Sequence, residues 1–162
     1  MAIHRMQLDD FETVDYQLIA IHSLLEDYRL AYFLNETLPI FLEKSSQKII
    51  VKSKIGVANY TRFAFENYEN DMIWHLVQNK NEIFSTTYNK VQNLFFEEKM
   101  ETETKVFLLP EFKVMDYILK IDNPSYDFDM ENIIVIINAI DEISTAYEID
   151  INLIKSKNNL IF

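Results

Sequence analysis

One residue in the chain is glycine, Gly56, where average usage of about 7 % would supply roughly eleven in 162 residues. No other feature narrows the outcome as much. Phosphate-binding loops, dinucleotide fingerprints and nucleophile elbows all need backbone to turn sharply or to approach a ligand closely, and glycine is what permits it. None can be built here in its usual form, so nucleotide-dependent enzymes of those types are nearly excluded. Turns must rely on asparagine, which tolerates left-handed backbone better than other side-chain-bearing residues. There is also no cysteine. Disulfides, thiolate catalysis, Cys-based zinc and iron–sulfur clusters are excluded together.

With 49 % hydrophobic and 14 % aromatic residues over 162 positions, disorder is excluded and one domain spanning 1–162 is expected. The 26 acids against 15 bases leave a formal charge of −11. A field of that sign repels phosphate backbones, so nucleic acid is not the expected partner. The best local exception is Lys44, Lys48, Lys52 and Lys54. The amino terminus, "MAIHRMQLDDFETVDY", carries Asp9, Asp10 and Glu12 where a signal peptide needs apolar residues. The longest apolar run, "IIVIINAI", falls well short of the ~20 residues that span a bilayer. A cytoplasmic protein with no membrane association and no cofactor is the expectation.

"DYQLIAIHSLLEDYRLAYFLNETL" (15–38) reads as a strand, apolar on both faces, followed by a helix. Ser23 and Glu26 have capping-box spacing. Leu24, Tyr28, Ala31 and Tyr32 follow at helical intervals with Leu25 and Leu34. The helix should stop near Asn35–Thr37 ahead of Pro39. From 40 to 109 short strands are expected in "PIFLEK", "QKIIVKSK", "YTRFAFE", "DMIWHLVQN", "EIFSTTY" and "KVFLLP", between polar turn clusters. The stretch 89–105 fits a short helix or an exposed loop. The last third predicts a strand at 114–122, turn material at 123–129 and a helix at 130–143 led by Asp129. That helix places Met130, Ile133, Ile137 and Ile140 on one stripe. A strand at 144–150 and a docked apolar ending complete the chain. The class is α+β, mostly antiparallel sheet with two main helices, and the architectural expectation is a split βαβ, ferredoxin-like arrangement.

The segment "LPEFKVMDYILKI" (109–121) interrupts an apolar pattern with Pro110 and Glu111 and then places Asp116 beside Tyr117. It resembles the signature of the IPExxxVDY family, a bacterial family known by that string. Leu109 and Met115 stand where the signature has isoleucine and valine, while Pro110, Glu111, Asp116 and Tyr117 match it. "IHSLLEDYRLAYFLN", "IWHLVQNK", "TAYEID" and the ending "KSKNNLIF" look like the same family, so the resemblance spans nearly the whole chain. It implies no substrate, cofactor or catalytic residue.

Two readings compete for the signature. Glu111 and Asp116, with His22 as the accompanying histidine, could act as general acid and base. Alternatively, Asp116 accepts hydrogen bonds from turn N–H groups or pairs with Lys120, four residues along on the same side of a strand, and so holds the Pro110 corner. No nucleophile or metal motif accompanies the pair, which favours the structural reading. His22 and Glu26 lie four apart, but without HExxH or a second histidine they do not make a metal motif; a local hydrogen bond is expected for His22. Tyr28, Arg29 and Tyr32 could form a face for a protein partner. The competing reading packs both tyrosines in the core and pairs Arg29 with Glu26. Trp74 is expected in the core. The leading expectation is a non-enzymatic binding or regulatory module, with a protein partner or a second copy of the chain as its ligand. The alternative is a small hydrolase-like enzyme using Glu111, Asp116 and a histidine.

Overall fold

Alternation of apolar residues builds the centre of the fold. The computed structural model describes residues 15–88 and 99–162; the readings of the amino terminus and of 89–98 fall outside them. Strands β1 (Tyr16–Ser23), β5 (Arg62–Asn67), β6 (Met72–Gln78), β9 (Tyr117–Asp122) and β10 (Ile143–Glu148), with the two-residue β2 (Glu43–Lys44), form one sheet in the order β10-β1-β9-β6-β5-β2. Every neighbouring pair is antiparallel. Because β9 and β10 both run opposite to β1, they run parallel to each other with β1 between them. The helix α2 (Met130–Asn138) links them. β1 and β6 flank β9 in the same way, and α1 (Asp27–Thr37) leads out of β1. The four central strands thus have the order expected of a split βαβ, ferredoxin-like arrangement. The protein is α+β and mostly antiparallel.

The departures are insertions. Between α1 and β6 the chain adds β2 and β5 to the sheet edge and makes a separate hairpin from β3 (Ile49–Lys52) and β4 (Val57–Tyr60). Between β6 and β9 it makes a second hairpin from β7 (Lys80–Tyr88) and β8 (Lys99–Phe107). Residues 99–105 are therefore strand rather than helix or loop. Two turns use left-handed residues other than glycine, Asp71 (φ 56) and Asn123 (φ 50), and the Asn123 carboxamide donates to the Asp71 carbonyl at 3.2 Å.

Both faces of the central strands are covered. On one, Ile19, Ile21, Trp74, Leu76, Leu119 and Ile121 pack with Leu30 and Leu34 of α1 and Ile137 of α2. On the other, Leu18, Ala20, Val77 and Ile118 meet Ile49, Ala58 and Tyr60 of the β3–β4 hairpin, together with Ile154 and Leu160 near the end of the chain. A side chain of this kind, fully buried, contributes about 1.5–3 kcal/mol. β1 is covered on both faces as its composition requires, Trp74 is core, and the apolar ending is docked through Leu160.

α1 starts differently from the expectation. Ser23 does not cap it: Ser23 is still paired to Ile143 across a bulge in β1, and its hydroxyl accepts from the Leu25 N–H and donates to the Glu142 carbonyl. Glu26 is the N-cap residue and supplies no side-chain cap. Leu24 is exposed, and the buried stripe is Leu30, Ala31 and Leu34. The helix ends at Thr37 as expected. α2 begins as predicted, with the Asp129 carboxylate accepting from the Asn132 N–H at 3.0 Å, and is shorter at its far end. There the Asn138 carboxamide bonds both backbone groups of Ala146, tying helix to β10. Among the described residues no helix is long and apolar enough to cross a membrane.

Candidate functional site

The signature corner is held from below by Asn79, which is fully buried. Its carboxamide donates to the carbonyls of Phe112 (2.8 Å) and Met115 (3.2 Å) and accepts from the Leu109 N–H (2.8 Å). Its backbone N–H donates to the Asp116 carbonyl, and its carbonyl accepts from the Leu108 N–H. Pro110 opens a single 3-10 turn, Pro110–Phe112, because its fixed φ suits a first helical position and its missing N–H is not needed there. These bonds keep residues 113–116 out of the sheet. β9 therefore starts at Tyr117, not Val114. Met115 and Tyr117 consequently pack on opposite sides of the sheet rather than together.

The structure brings only two of the proposed catalytic residues together. Asp116 accepts from the Ser23 N–H (3.2 Å) and from Lys80 Nζ (2.6 Å); its lysine partner is Lys80, not Lys120. His22 Nδ1 lies 3.8 Å from Asp116 Oδ2, and His22 Nε2 is 3.3 Å from the Tyr147 hydroxyl with the two rings stacked. His22 thus bonds across the sheet, not locally at the helix start. Glu111 shares none of these partners. Its carboxylate accepts from the N–H groups of Lys155 and Ser156 (both 2.6 Å) and from the Ser156 hydroxyl (2.7 Å). Partial burial pushes its carboxyl upward, but the bonds from Ser156 and Lys155 outweigh that and hold it below the usual glutamate range. Tyr117 donates to the Leu25 carbonyl at 2.5 Å, and burial first, then the acids Asp27, Asp116 and Glu26, push its hydroxyl up to about 12. The signature residues serve as ties: Glu111 to the carboxy-terminal segment, Asp116 to β1 and β7, Tyr117 to the start of α1.

Tyr28 and Tyr32 are not core residues. Both are exposed on α1, because the buried stripe of that helix is set by Leu30 and Leu34. Arg29 is exposed beside them and makes no ion pair among the described residues. The Tyr28–Arg29–Tyr32 face is thus open to solvent.

A polar cluster that the sequence did not single out lies under the end of the chain. His75 of β6 sits opposite Lys120 of β9, and both are 4 % exposed. Asp122, on the same side of β9 as Lys120, receives Lys120 Nζ (2.8 Å) and His75 Nε2 (2.9 Å). Phe162 covers them, edge-on to the His75 ring at 5.2 Å and with Lys120 Nζ 4.7 Å from its centroid. Tyr16 flanks the same ammonium at 5.2 Å. Burial lowers the His75 pKa below its ordinary value, against the pull of Asp122. Asp122 is pushed up by burial, but the bonds from His75 and Lys120 bring it below the usual range. The imidazole is therefore neutral, with Nε2–H donating to a charged Asp122. Its Nδ1 is then a buried acceptor, and it has no partner among the described residues.

His75 also lines a cavity of about 580 Å³ on the sheet face away from the helices, where Arg62, Ala64 and Glu66 of β5 and Ile73 of β6 are only partly covered. Phe41, Phe65, Tyr68, Ile73 and Phe162 supply apolar walls, and Arg62, Glu43 and Glu66 supply charge at its margin. A volume of this size accommodates a small organic molecule. Neither His22, Asp116 nor Glu111 lines it. Among the described residues no group of three metal-ligating side chains comes together. One signal for the cluster was legible: Lys120-x-Asp122 alternates charge with apolar residues inside a buried strand, which places both on one face. The partner His75 lies 47 positions away, beyond the reach of any spacing rule. No family model, curated protein or solved structure matches the chain.

Proposed function

We propose that this chain is a non-enzymatic cytoplasmic binding module, a member of the IPExxxVDY family, whose ligand occupies the cavity bordered by β5 and β6. The carrying observation is where unused hydrogen-bonding capacity lies. The carboxylates of Glu111 and Asp116 are engaged by backbone N–H groups, a hydroxyl and a lysine, and the Asn79 carboxamide beneath the signature corner makes three bonds to it. Among the described residues four buried side-chain atoms lack a partner; His75 Nδ1 and Arg62 Nε belong to residues lining the 580 Å³ cavity, while Gln17 Oε1 and the Tyr60 hydroxyl lie outside it. Buried polar groups left without partners cost stability, and a ligand that supplies them recovers it. The hydrolase-like alternative has the His22–Asp116 approach in its favour. The nearby Ser23 hydroxyl is already engaged by the Glu142 carbonyl and the Leu25 N–H rather than by His22, and Glu111 belongs to a different tie.

Screening a fragment library against isotope-labelled protein by NMR tests this reading. Ligands should move the signals of Tyr68, His75 and Phe162 and leave those of Glu111 and Asp116 in place. A screen whose hits cluster instead around His22, Asp116 and Tyr147 would shift the weight to the enzyme.

A further inference from the structure

A second cavity adjoins the first, and both of its charged side chains are cations. We propose that it binds a small organic anion, with a carboxylate or phosphate head group held by Arg62 and Lys48 and an apolar body against Ile161 and Phe162. This rests on the reading of the β5–β6 side as the binding surface and adds the ligand class. The cavity encloses about 330 Å³ between β3 and the carboxy-terminal turn, with Arg62 and Phe162 forming a wall common to both cavities. Its polar side chains are Lys48, Arg62 and the carboxamides of Gln47, Asn158 and Asn159, with no aspartate or glutamate among them. In a chain of charge −11 with 26 acidic residues, a cavity whose charged side chains are both cations stands out.

Arg62 carries the argument. A guanidinium is charged at all relevant pH and offers five donors in a planar fork. Here one nitrogen, Nη2, donates to the neutral Ser45 hydroxyl at 3.2 Å, and the Phe162 ring lies 5.8 Å from the guanidinium carbon. Nε is buried and has no partner. Among the described residues Arg62 forms no salt bridge. A partly buried cation without a counter-ion is unfavourable, and the missing group is an anion that accepts from the fork, as carboxylates and phosphates do. Asn159 is fixed by its bond to the Leu108 carbonyl at 2.8 Å and shapes the wall. The Gln47, Lys48 and Asn158 side chains make no hydrogen bond among the described residues and stand ready as further donors. Ile49, Val51, Ile161 and Phe162 supply the apolar lining, which calls for a hydrophobic group on the anion rather than a bare ion.

The chain has three arginines, Arg5, Arg29 and Arg62, so the arginine Nε–H signals of the full-length ¹⁵N-labelled protein give a direct probe. Phenyl phosphate and benzoate are titrated separately, with inorganic phosphate as head group alone and phenol as apolar body alone. One of the two aromatic anions should move the Arg62 Nε–H signal saturably, about tenfold or more tighter than inorganic phosphate, and which one does so decides between phosphate and carboxylate. Arg62→Gln should weaken binding about tenfold or more and Lys48→Met about threefold; Lys48 is exposed, so its variant folds even if the other does not. Absence of a saturable Arg62 shift with either anion, equal binding of phenol, or unchanged affinity in Lys48→Met and Arg62→Gln would overturn the proposal. Fragment hits at His75 and Tyr68 alongside a silent Arg62 would sink the anion alone; silence at both sites would sink the binding surface as well.

Discussion

Replacing Asn79 by alanine should be among the most damaging single substitutions in the chain. The change removes three side-chain bonds and leaves the Leu109 N–H and the Phe112 and Met115 carbonyls without partners. Orphaned buried groups cost about 1–3 kcal/mol each. The Phe112 carbonyl is only partly buried and water can reach it, so the sum is about 3–5 kcal/mol. Against a typical total of about 5–15 kcal/mol, that is a large share. Urea unfolding followed by the fluorescence of Trp74, the single tryptophan, buried edge-to-face with Phe128, reads the loss as a lower midpoint at unchanged slope. Asn79→Asp sharpens the test: it keeps an acceptor for Leu109 but presents a carboxylate to two carbonyls, so it should be at least as damaging. A loss below about 1 kcal/mol for Asn79→Ala, or a tolerated Asn79→Asp, would refute the account of the signature corner.

Asp122→Asn should cost about 3–5 kcal/mol, because it leaves the buried Lys120 ammonium without its counter-charge; pairing it with Lys120→Met should restore most of the loss in the same urea assay, and a double variant as weak as the single one would contradict the pairing. Asp116→Asn should cost less than about 1 kcal/mol, since Lys80 is 44 % exposed and the Ser23 N–H keeps an acceptor; a loss of several kcal/mol would give Asp116 a larger role than a tie. Acid should weaken the fold in stages. The folded pKa of His75 lies below its ordinary 6.5, so the unfolded chain takes the proton first. The His75 contribution is complete above pH 6.5 and is lost as pH falls below it. Glu111 and Asp122, also lowered from 4.5 and 3.8, contribute above those values and lose their contribution on further acidification. Urea midpoints measured against pH should show the first stage vanish in His75→Gln, and its persistence there would assign it elsewhere.

Local pattern revealed those elements whose stability is local. Asp129 and the apolar stripe behind it marked the start of α2, and the two apolar faces of 16–21 marked β1 as a central strand. The strand order followed from two strand–helix units at the ends of the chain. Pattern failed where a distant group overrode it. Val114-Met115-Asp116-Tyr117 alternates like a strand, yet Asn79 pulls the first three into a turn. Ser23 and Glu26 have the spacing of a capping box, yet pairing with β10 keeps Ser23 in its strand. Asp116 had an obvious lysine four residues away and took one 36 positions away. The site followed the same division. Lys120 and Asp122 share a face by alternation alone, but His75, Arg62 and Phe162 join them only when β5, β6 and the chain end are assembled.

The scarcity of glycine has a consequence for the state from which the protein folds. An ordinary residue in place of glycine, where its native backbone angles allow, favours folding by about 0.4–1 kcal/mol by shrinking the unfolded ensemble. With roughly ten fewer glycines than average usage, the accumulated difference is about 4–10 kcal/mol, comparable to the net stability of a whole domain. Set against it is the strain at Asp71 and Asn123, of order 1 kcal/mol each. Part of what holds this fold is thus freedom its unfolded chain never had.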